Sequence, residues 1–422
     1  MSETVFTYAA PGLKFGRGAS REIGHDLTAY DARRVLLVTD PGVAAAGHPE
    51  RVAEGLRAAG LDVTTYDRTR VEPTDVSMAD AVAFARDAGP FDAVVAVGGG
   101  SSIDTAKAVN LLLTNEGELL DYVNAPVGGG RAPVRPLLPL VAVPTTTGTG
   151  SESTTICVLD VLDQHVKSGI SHARLRPTLA VVDPDLTLSQ PAEVTAASGM
   201  DVLCHALESW TAQWYAEFPA KQAGERVPYC GANPIADLWA ERALSLMAGA
   251  FRAAVRDGSD PMKREEMALA ATFAGLGFGN AGVHIPHANA YPIAGQVRTW
   301  RPSGYPQDEP IVPHGMAVSL TAPAAFAFTF DASPERHLAA ARLLDPSLPG
   351  SDLGPQTLPS VLRSITRDVG VPHGLAAVGF GSGDVVGLVE GALKQQRLLA
   401  TAPRPVHAED LETIFRDSLD PR

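Results

Sequence analysis

Phe91-Asp-Ala-Val-Val-Ala-Val-Gly-Gly-Gly-Ser-Ser-Ile-Asp104 runs a β-branched apolar stretch straight into three glycines and two serines, and helical spacing follows from Ile103 to Leu112. Ala93 to Val97 reads as a buried parallel strand. Glycine lets a backbone approach a pyrophosphate closely, and the next helix offers free N–H groups at the positive end of its dipole. The motif is neither GxGxxG nor a P-loop. Taken alone it is equally a plain strand-to-helix turn.

The neighbouring segments favour the nucleotide reading. Arg34-Val-Leu-Leu-Val-Thr-Asp40 is another buried strand, a helix follows from His48 to Ala59, and Asp62 to Tyr66 is a third strand. A helix from Thr74 to Ala88 precedes the opening segment, and Pro139 to Pro144 is a strand feeding Thr145-Thr-Thr-Gly-Thr-Gly-Ser-Glu152. Thr178 to Asp183 reads as the last strand, and Gly128-Gly-Gly130 as a flexible surface loop. This alternation predicts an α/β domain with a Rossmann-like parallel sheet. Ligands of such sheets bind at the carboxyl ends of the strands, so two polar loops on one edge point to a dinucleotide. Asp40 would then accept hydrogen bonds from an adenosine ribose and repel a 2′-phosphate, favouring NAD over NADP.

After about residue 190 the texture becomes helical, with periodic segments at 194–214, 234–255, 262–278, 315–328, 335–344, 360–368, 383–393 and 409–418. The expected organisation is an α/β domain over residues 1–189 and an all-helical domain over 190–422. Residues 215–233 and 296–313 are Pro- and Gly-containing loops, candidates for lids or interfaces.

The second chemical signal lies in the helical half. In Ser198-Gly-Met-Asp-Val-Leu-Cys-His-Ala-Leu-Glu208, Asp201 and His205 stand one helical turn apart on one face, able to converge on a metal ion. Carboxylate and imidazole together suit zinc, iron(II), manganese or nickel, and further ligands are available in His284, His287 and His314.

Composition narrows the classes. The 422 residues carry a formal charge of −14, which argues against a nucleic-acid partner. The three cysteines form no CxxC pair, so a disulfide framework or cysteine zinc site is not expected and a reducing compartment fits. No apolar run reaches the length of a membrane span. The first residues have neither signal nor transit character, and a cytoplasmic location is expected.

Gly98-Gly-Gly-Ser101, Pro144-Thr-Thr-Thr-Gly-Thr-Gly-Ser-Glu152, the Gly199-x-Asp201-x-x-x-His205-x-x-Glu208 helix and the two later histidine segments together resemble the group III, iron-containing alcohol dehydrogenases, over essentially the whole chain. The resemblance implies a dehydroquinate synthase-like fold, with a dinucleotide-binding α/β domain, a helical domain and a divalent metal, Fe2+ or Zn2+, in the cleft between them. Carried over by position, it implies Asp201, His205, His287 and His314 as metal ligands. It also implies Gly98, Gly99, Gly100, Ser101 and Asp104, with Thr145, Thr146 and Thr149, as cofactor-binding residues. Asp40 falls at the NAD-selecting acid and Lys167 at a cofactor-contacting lysine. A homodimer or higher homo-oligomer is a further implication.

Within the family, Arg70-Val-Glu-Pro-Thr-Asp75, Gly279-Asn-Ala-Gly-Val-His284, Val312-Pro-His-Gly315, Pro334-Glu-Arg-His-Leu338 and Gln395-Gln-Arg397 look like the hydroxyacid-oxoacid transhydrogenases. Such enzymes oxidise 4-hydroxybutyrate to succinic semialdehyde while reducing 2-oxoglutarate to 2-hydroxyglutarate on a nicotinamide that stays bound. Many group III members carry a second histidine four residues after the third ligand. This chain has Tyr291 there, so the proton route is open between Tyr291, His284 and water. A carboxylate substrate needs a cation, and Arg298, Arg301 and Arg397 are the nominees. The alternatives are an ordinary NAD(P)-dependent alcohol dehydrogenase or aldehyde reductase, a lyase of the dehydroquinate synthase type, which would need a more basic pocket, and a non-catalytic nucleotide-binding protein with a structural metal.

Overall fold

Strands β1 (Gly12–Phe15), β2 (Arg34–Val38), β3 (Asp62–Tyr66), β4 (Ala93–Gly98), β5 (Leu140–Pro144), β6 (Ile156–Val161), β7 (Val166–Ser171) and β8 (Leu179–Val182) all fall before residue 190 in the computed structural model, which describes residues 2–164, 166–305 and 307–420. Six of them form a parallel sheet in the order β1-β8-β5-β4-β2-β3, and β6 and β7 pair antiparallel as a separate hairpin. Helices α1 (Ile23–Thr28), α2 (Pro41–Ala45), α3 (His48–Ala58), α4 (Asp75–Ala88), α5 (Gly100–Thr114) and α6 (Leu119–Tyr122) cover it.

The strands read as continuous apolar runs because both faces are buried. Val35, Leu37, Val95 and Val97 pack with Ile23, Leu27, Val52 and Leu56 on one face. Leu36, Val38, Val94 and Ala96, one residue out of step, pack with Met78, Val82, Ile103 and Val109 on the other. The β2-to-β3 crossover helix, α3, therefore lies on one face and the β3-to-β4 helix, α4, on the opposite face. Right-handed crossovers require this when the direction of travel reverses, and the reversal falls between β2 and β4. That is the switch point at which ligands of open sheets bind, and Asp40 and Gly98–Ser101 both leave the sheet there. Thr74 starts α4 with a reciprocal capping box: its Oγ1 accepts from Ser77 N at 3.0 Å, and its own N–H donates to Ser77 Oγ at 2.9 Å.

The remaining chain folds as α7 (Ala192–Thr211), α8 (Pro234–Arg256), α9 (Pro261–Ala281), α10 (Ile285–Gln296), α11 (His314–Thr329), α12 (Pro334–Leu344), α13 (Thr357–Val369), α14 (Val385–Leu393), α15 (Gln396–Leu399) and α16 (Ala408–Asp417). By contacts, the chain divides into Ala10–Gln190 and a helical unit of Pro191–Arg422 that also takes in Met1–Ala9. The N-terminal arm is held to that unit by Glu3 N–H donating to Phe218 O and by a two-way bond between the Ala9 backbone and the Asn280 amide. Gly282, at φ 97°, breaks the path between α9 and α10, and α10 leaves at 102° to α9. Among the described residues no single helix is long and apolar enough to cross a membrane.

Candidate active site

Helix α7 sets Asp201, His205 and Glu208 on successive turns, all buried. Gly199 permits the approach of α8, since a Cβ there would lie 2.0 Å from the Phe251 ring. His287 comes from the first turn of α10, and His314 opens α11. Gly315 is equally constrained: a Cβ would lie 2.0 Å from Ala197 O and 2.9 Å from Asp201 Cβ, so only glycine lets α11 start against α7.

The result is one carboxylate oxygen ringed by imidazoles. Asp201 Oδ1 lies 3.7 Å from His205 Nε2, 3.5 Å from His287 Nε2 and 3.9 Å from His314 Nε2. These distances are too long for good hydrogen bonds. Asp201 Oδ1 and His287 Nε2 are buried and without any hydrogen-bond partner. Ligating atoms of Asp201, His287 and His314 all fall within 4.8 Å of one another, the spacing of donors around an ion. Orphaned buried donors of this chemistry fit a divalent cation held by Asp201, His287 and His314, and His205, expected as a fourth ligand, lies beside that group with its Nε2 3.7 Å from Asp201 Oδ1. His205 is held flat between Phe278 and His287, with ring centroids 3.8 and 4.5 Å away.

Burial and the two carboxylates act differently on the members of this cluster. Burial alone would raise Asp201, but the surrounding histidines overcome it and hold the carboxyl far below its usual range. Burial pushes His205 down to about 3 and His284 to about 4, so both are neutral. Burial also opposes a charge on His287, yet Glu208 and Asp201 raise it to about 9.

Glu208 is the residue whose part was not legible from spacing. Its Oε1 is 2.6 Å from His287 Nδ1, and its Oε2 accepts from the backbone N–H of His284 at 2.6 Å and of His287 at 3.4 Å. One buried carboxylate thus caps the N-terminus of α10 and fixes the His287 ring with Nε2 toward Asp201. His284 turns elsewhere: its Nε2 lies 3.0 Å from Thr211 Oγ1, whose hydrogen goes to Leu207 O, so Nε2 is the donating nitrogen. Tyr291 is buried with its ring edge-on to His314 at 6.2 Å between centroids. Arg298 is exposed and ion-paired to Asp384, and Arg301 is exposed and donates to Thr299 O. Arg397 is half-buried over the Tyr229 ring, 5.0 Å from its centroid.

In the α/β unit, Gly98, Gly99 and Gly100 make a turn that excludes side chains. A Cβ would lie 2.3 Å from Ser102 Oγ at Gly98, 3.2 Å from Thr146 Oγ1 at Gly99 and 2.7 Å from Thr149 at Gly100. Thr145 N–H donates to Gly98 O at 3.0 Å, which holds the two polar loops side by side. Asp40 caps α2 through Val43 N at 3.0 Å and accepts from Ser102 Oγ at 3.0 Å. The buried hydroxyls of Thr39, Thr69, Thr145 and Thr147 have no hydrogen-bond partner. Orphaned hydroxyls beside a bare helix N-terminus at the switch point fit a dinucleotide. The Asp104 carboxylate is engaged inside the protein, accepting from Ser151 Oγ and from Val158 N at 2.9 Å, beside the fully buried Lys107. Lys107 in turn holds Ser151, Thr154 and Ile156 O, so this pair shapes the second loop from below. Lys167 is buried and ion-paired to Glu72 at 2.7 Å and Asp160 at 2.9 Å. Those carboxylates outweigh burial and hold it protonated.

A sheet with its ligand edge at a switch point and a helical unit carrying a buried Asp/His cluster fit a nucleotide-linked enzyme with a divalent metal. The chain belongs to the iron-containing alcohol dehydrogenase family: residues 11–184 match the iron-containing alcohol dehydrogenase model, and residues 223–419 match the C-terminal model of the Fe-containing alcohol dehydrogenase family. It is an oxidoreductase acting on CH–OH groups. It is similar to the mitochondrial hydroxyacid-oxoacid transhydrogenases of Bos taurus, 44% identical over 99% of this chain and 91% of that protein, and Homo sapiens, 43% over 99% and 90%. Among solved structures, a 1,3-propanediol oxidoreductase superposes with a TM-score of 0.85 at 30% identity, covering 99% of this chain and 100% of that one. A sulfoacetaldehyde reductase from Bifidobacterium kashiwanohense in complex with NAD+ superposes at 0.81 with 26% identity, covering 99% and 100%. The expected cytoplasmic location is overturned by these relatives, whose names place them in mitochondria. Sparse thiols signal a reducing compartment but do not single out the cytosol.

Proposed function

We propose that this protein is a hydroxyacid-oxoacid transhydrogenase that moves hydride from 4-hydroxybutyrate to 2-oxoglutarate through a nicotinamide that stays bound. The observation that carries the reading is full-length identity of 43–45% to transhydrogenases of three mammals, on a chain whose Asp201 oxygen is ringed by three imidazoles.

Asp201, His205, His287 and His314 would hold the metal, Fe2+ or Zn2+, and the turn Gly98–Ser101 with Thr145, Thr146 and Thr149 would hold the dinucleotide. When bound, the metal supplies Lewis acidity that acidifies a hydroxyl or polarises a carbonyl, and the nicotinamide supplies hydride exchange. The chain's own part is placement and proton control. Glu208 keeps His287 Nε2 aimed at the centre, where a bound cation would take the place of its proton, and Gly315 lets His314 reach it. Tyr291, edge-on to His314, is the favoured group for passing the hydroxyl proton outward, because burial lowers His284 to about 4 and leaves it a weak proton acceptor. Asp40, on the edge beside the glycine turn, favours NAD over NADP by repelling a 2′-phosphate. Arg397, with its planar guanidinium steadied on Tyr229, is the best of the three arginine nominees for a substrate carboxylate. The assembly is read as a homodimer or higher homo-oligomer.

The test is product analysis with metal-reconstituted protein, 4-hydroxybutyrate and 2-oxoglutarate, with no NAD added. Formation of 2-hydroxyglutarate is the expected result. Turnover only when free NAD is supplied, with NADH accumulating, makes the protein a conventional dehydrogenase instead.

A further inference from the structure

Glu72 stands out in the α/β unit. Its φ of 54° puts it in the left-handed region, and it precedes Pro73, which itself disfavours a helical backbone in the residue before it. Among the described residues, the two other non-glycine residues with positive φ are aspartates, Asp31 and Asp352, a type that tolerates this conformation; glutamate has no such local compensation. Backbone strain of this kind persists only where surrounding contacts hold it, and it concentrates at functional sites.

The contacts that hold it are specific. The Glu72 N–H donates to Ser101 Oγ at 3.2 Å, in the first turn of α5. Its carboxylate pairs at 2.7 Å with Lys167, whose side chain is 2% exposed. The same loop is tied to β6 by Asp160 N–H donating to Pro73 O at 2.9 Å and by a bridge between Thr74 and Asp160, and Asp160 shares Lys167 at 2.9 Å. A residue in an unfavourable conformation thus joins two parts of the cofactor cradle, the Ser101 hydroxyl and the Lys167 ammonium. With one lone pair of Ser101 Oγ engaged by Glu72 N–H, its hydrogen remains to donate to an anion at the α5 N-terminus.

We propose that Glu72 is a positioning residue for cofactor retention: its strained backbone aims Ser101 and its carboxylate locks the loop to Lys167, which slows release of the bound nicotinamide. This rests on the reading of Gly98–Ser101 as the dinucleotide cradle and deepens it, since retention is what separates a transhydrogenase from an enzyme that exchanges its cofactor. An isosteric Glu72→Gln change weakens the ion pair and leaves the fold's volume intact.

The experiment is stopped-flow release of NADH from metal-loaded protein, chased with excess NAD and followed by NADH fluorescence, for wild type, E72Q and D160N, with melting temperatures alongside. Retention by Glu72 predicts release from E72Q at least about tenfold faster than from wild type, with a smaller change in D160N, which keeps the Glu72 contacts to Ser101 and Lys167. Equal release rates in wild type and E72Q overturn the proposal. So do parallel losses of melting temperature and retention in E72Q and D160N, which mark a general structural role. Absence of NADH binding to wild type overturns the cradle reading, and the proposal with it. Should E72Q not fold, Glu72→Gly, which relieves the backbone strain and removes the carboxylate, is read in the same way.

Discussion

Glu208 Oε1 stands 2.6 Å from His287 Nδ1 with both side chains at most 4% exposed, so the orientation of one imidazole at the candidate centre is set by a carboxylate seven residues along the helix that carries Asp201. Removing the charge while keeping the shape, Glu208→Gln, is expected to weaken metal affinity by roughly 10–100-fold. Competition with a calibrated chelator measures this without reference to turnover. Unchanged affinity would mean that His287 keeps its orientation without the carboxylate.

Gly315→Ala tests the approach of α11 to α7. Its Cβ would sit 2.0 Å from Ala197 O, and backbone cannot swing aside as a side chain can. The variant should lose about 1–3 kcal/mol of stability and displace His314. Metal content after reconstitution, measured by elemental analysis beside a denaturant melt, should fall with it.

How much of this was legible beforehand depended on how local each signal was. The i, i+4 pair Asp201 and His205 and the β4 turn Gly98–Ser101 are written in adjacent residues, and so could be read directly. Helix α10 could not, because Pro286 and Pro292 in Ile285–Gln296 read as turn residues, although one occupies the tolerated first turn and the other is accommodated inside the helix. The β6–β7 hairpin and β1 were missed because Gly169 and Gly12 lower strand propensity, and pairing partners supply what the local sequence lacks. Glu208 was visible as part of a motif, but its partners, 76 and 79 residues away, exist only in the fold. The arm at residues 2–9 joins the helical unit through Asn280 in the same non-local way.

Glu152 gives a pH dependence. It is 3% exposed, and burial raises its carboxyl from 4.5 to about 7. The folded protein therefore keeps this proton where the unfolded chain has lost it. The contribution is present below pH 4.5 and disappears as pH rises to about 7, at a cost of about 3 kcal/mol. Glu152→Gln should flatten this slope, so its melting temperature relative to wild type should be higher at pH 8 than at pH 5. A pH-independent difference contradicts the assignment.

Asp40→Ala should act on cofactor choice. Losing the carboxylate beside the glycine turn is expected to narrow the ratio of affinities for NAD over NADP in cofactor-stripped protein by roughly tenfold, the equivalent of about 1.4 kcal/mol of repulsion. The lost cap on α2 should cost about 1 kcal/mol of stability besides. Binding titrations of cofactor-stripped protein with both nucleotides check the first effect, and a thermal melt checks the second.

The proposed reaction is hydride transfer between two substrates through a resident nicotinamide. It is tested most directly by supplying 4-hydroxybutyrate deuterated at the carbinol carbon with 2-oxoglutarate and a large excess of unlabelled free NADH, then measuring deuterium in the 2-hydroxyglutarate by mass spectrometry. Near-complete retention of the label is the predicted result. Dilution of the label toward the isotopic composition of the free NADH pool would contradict it.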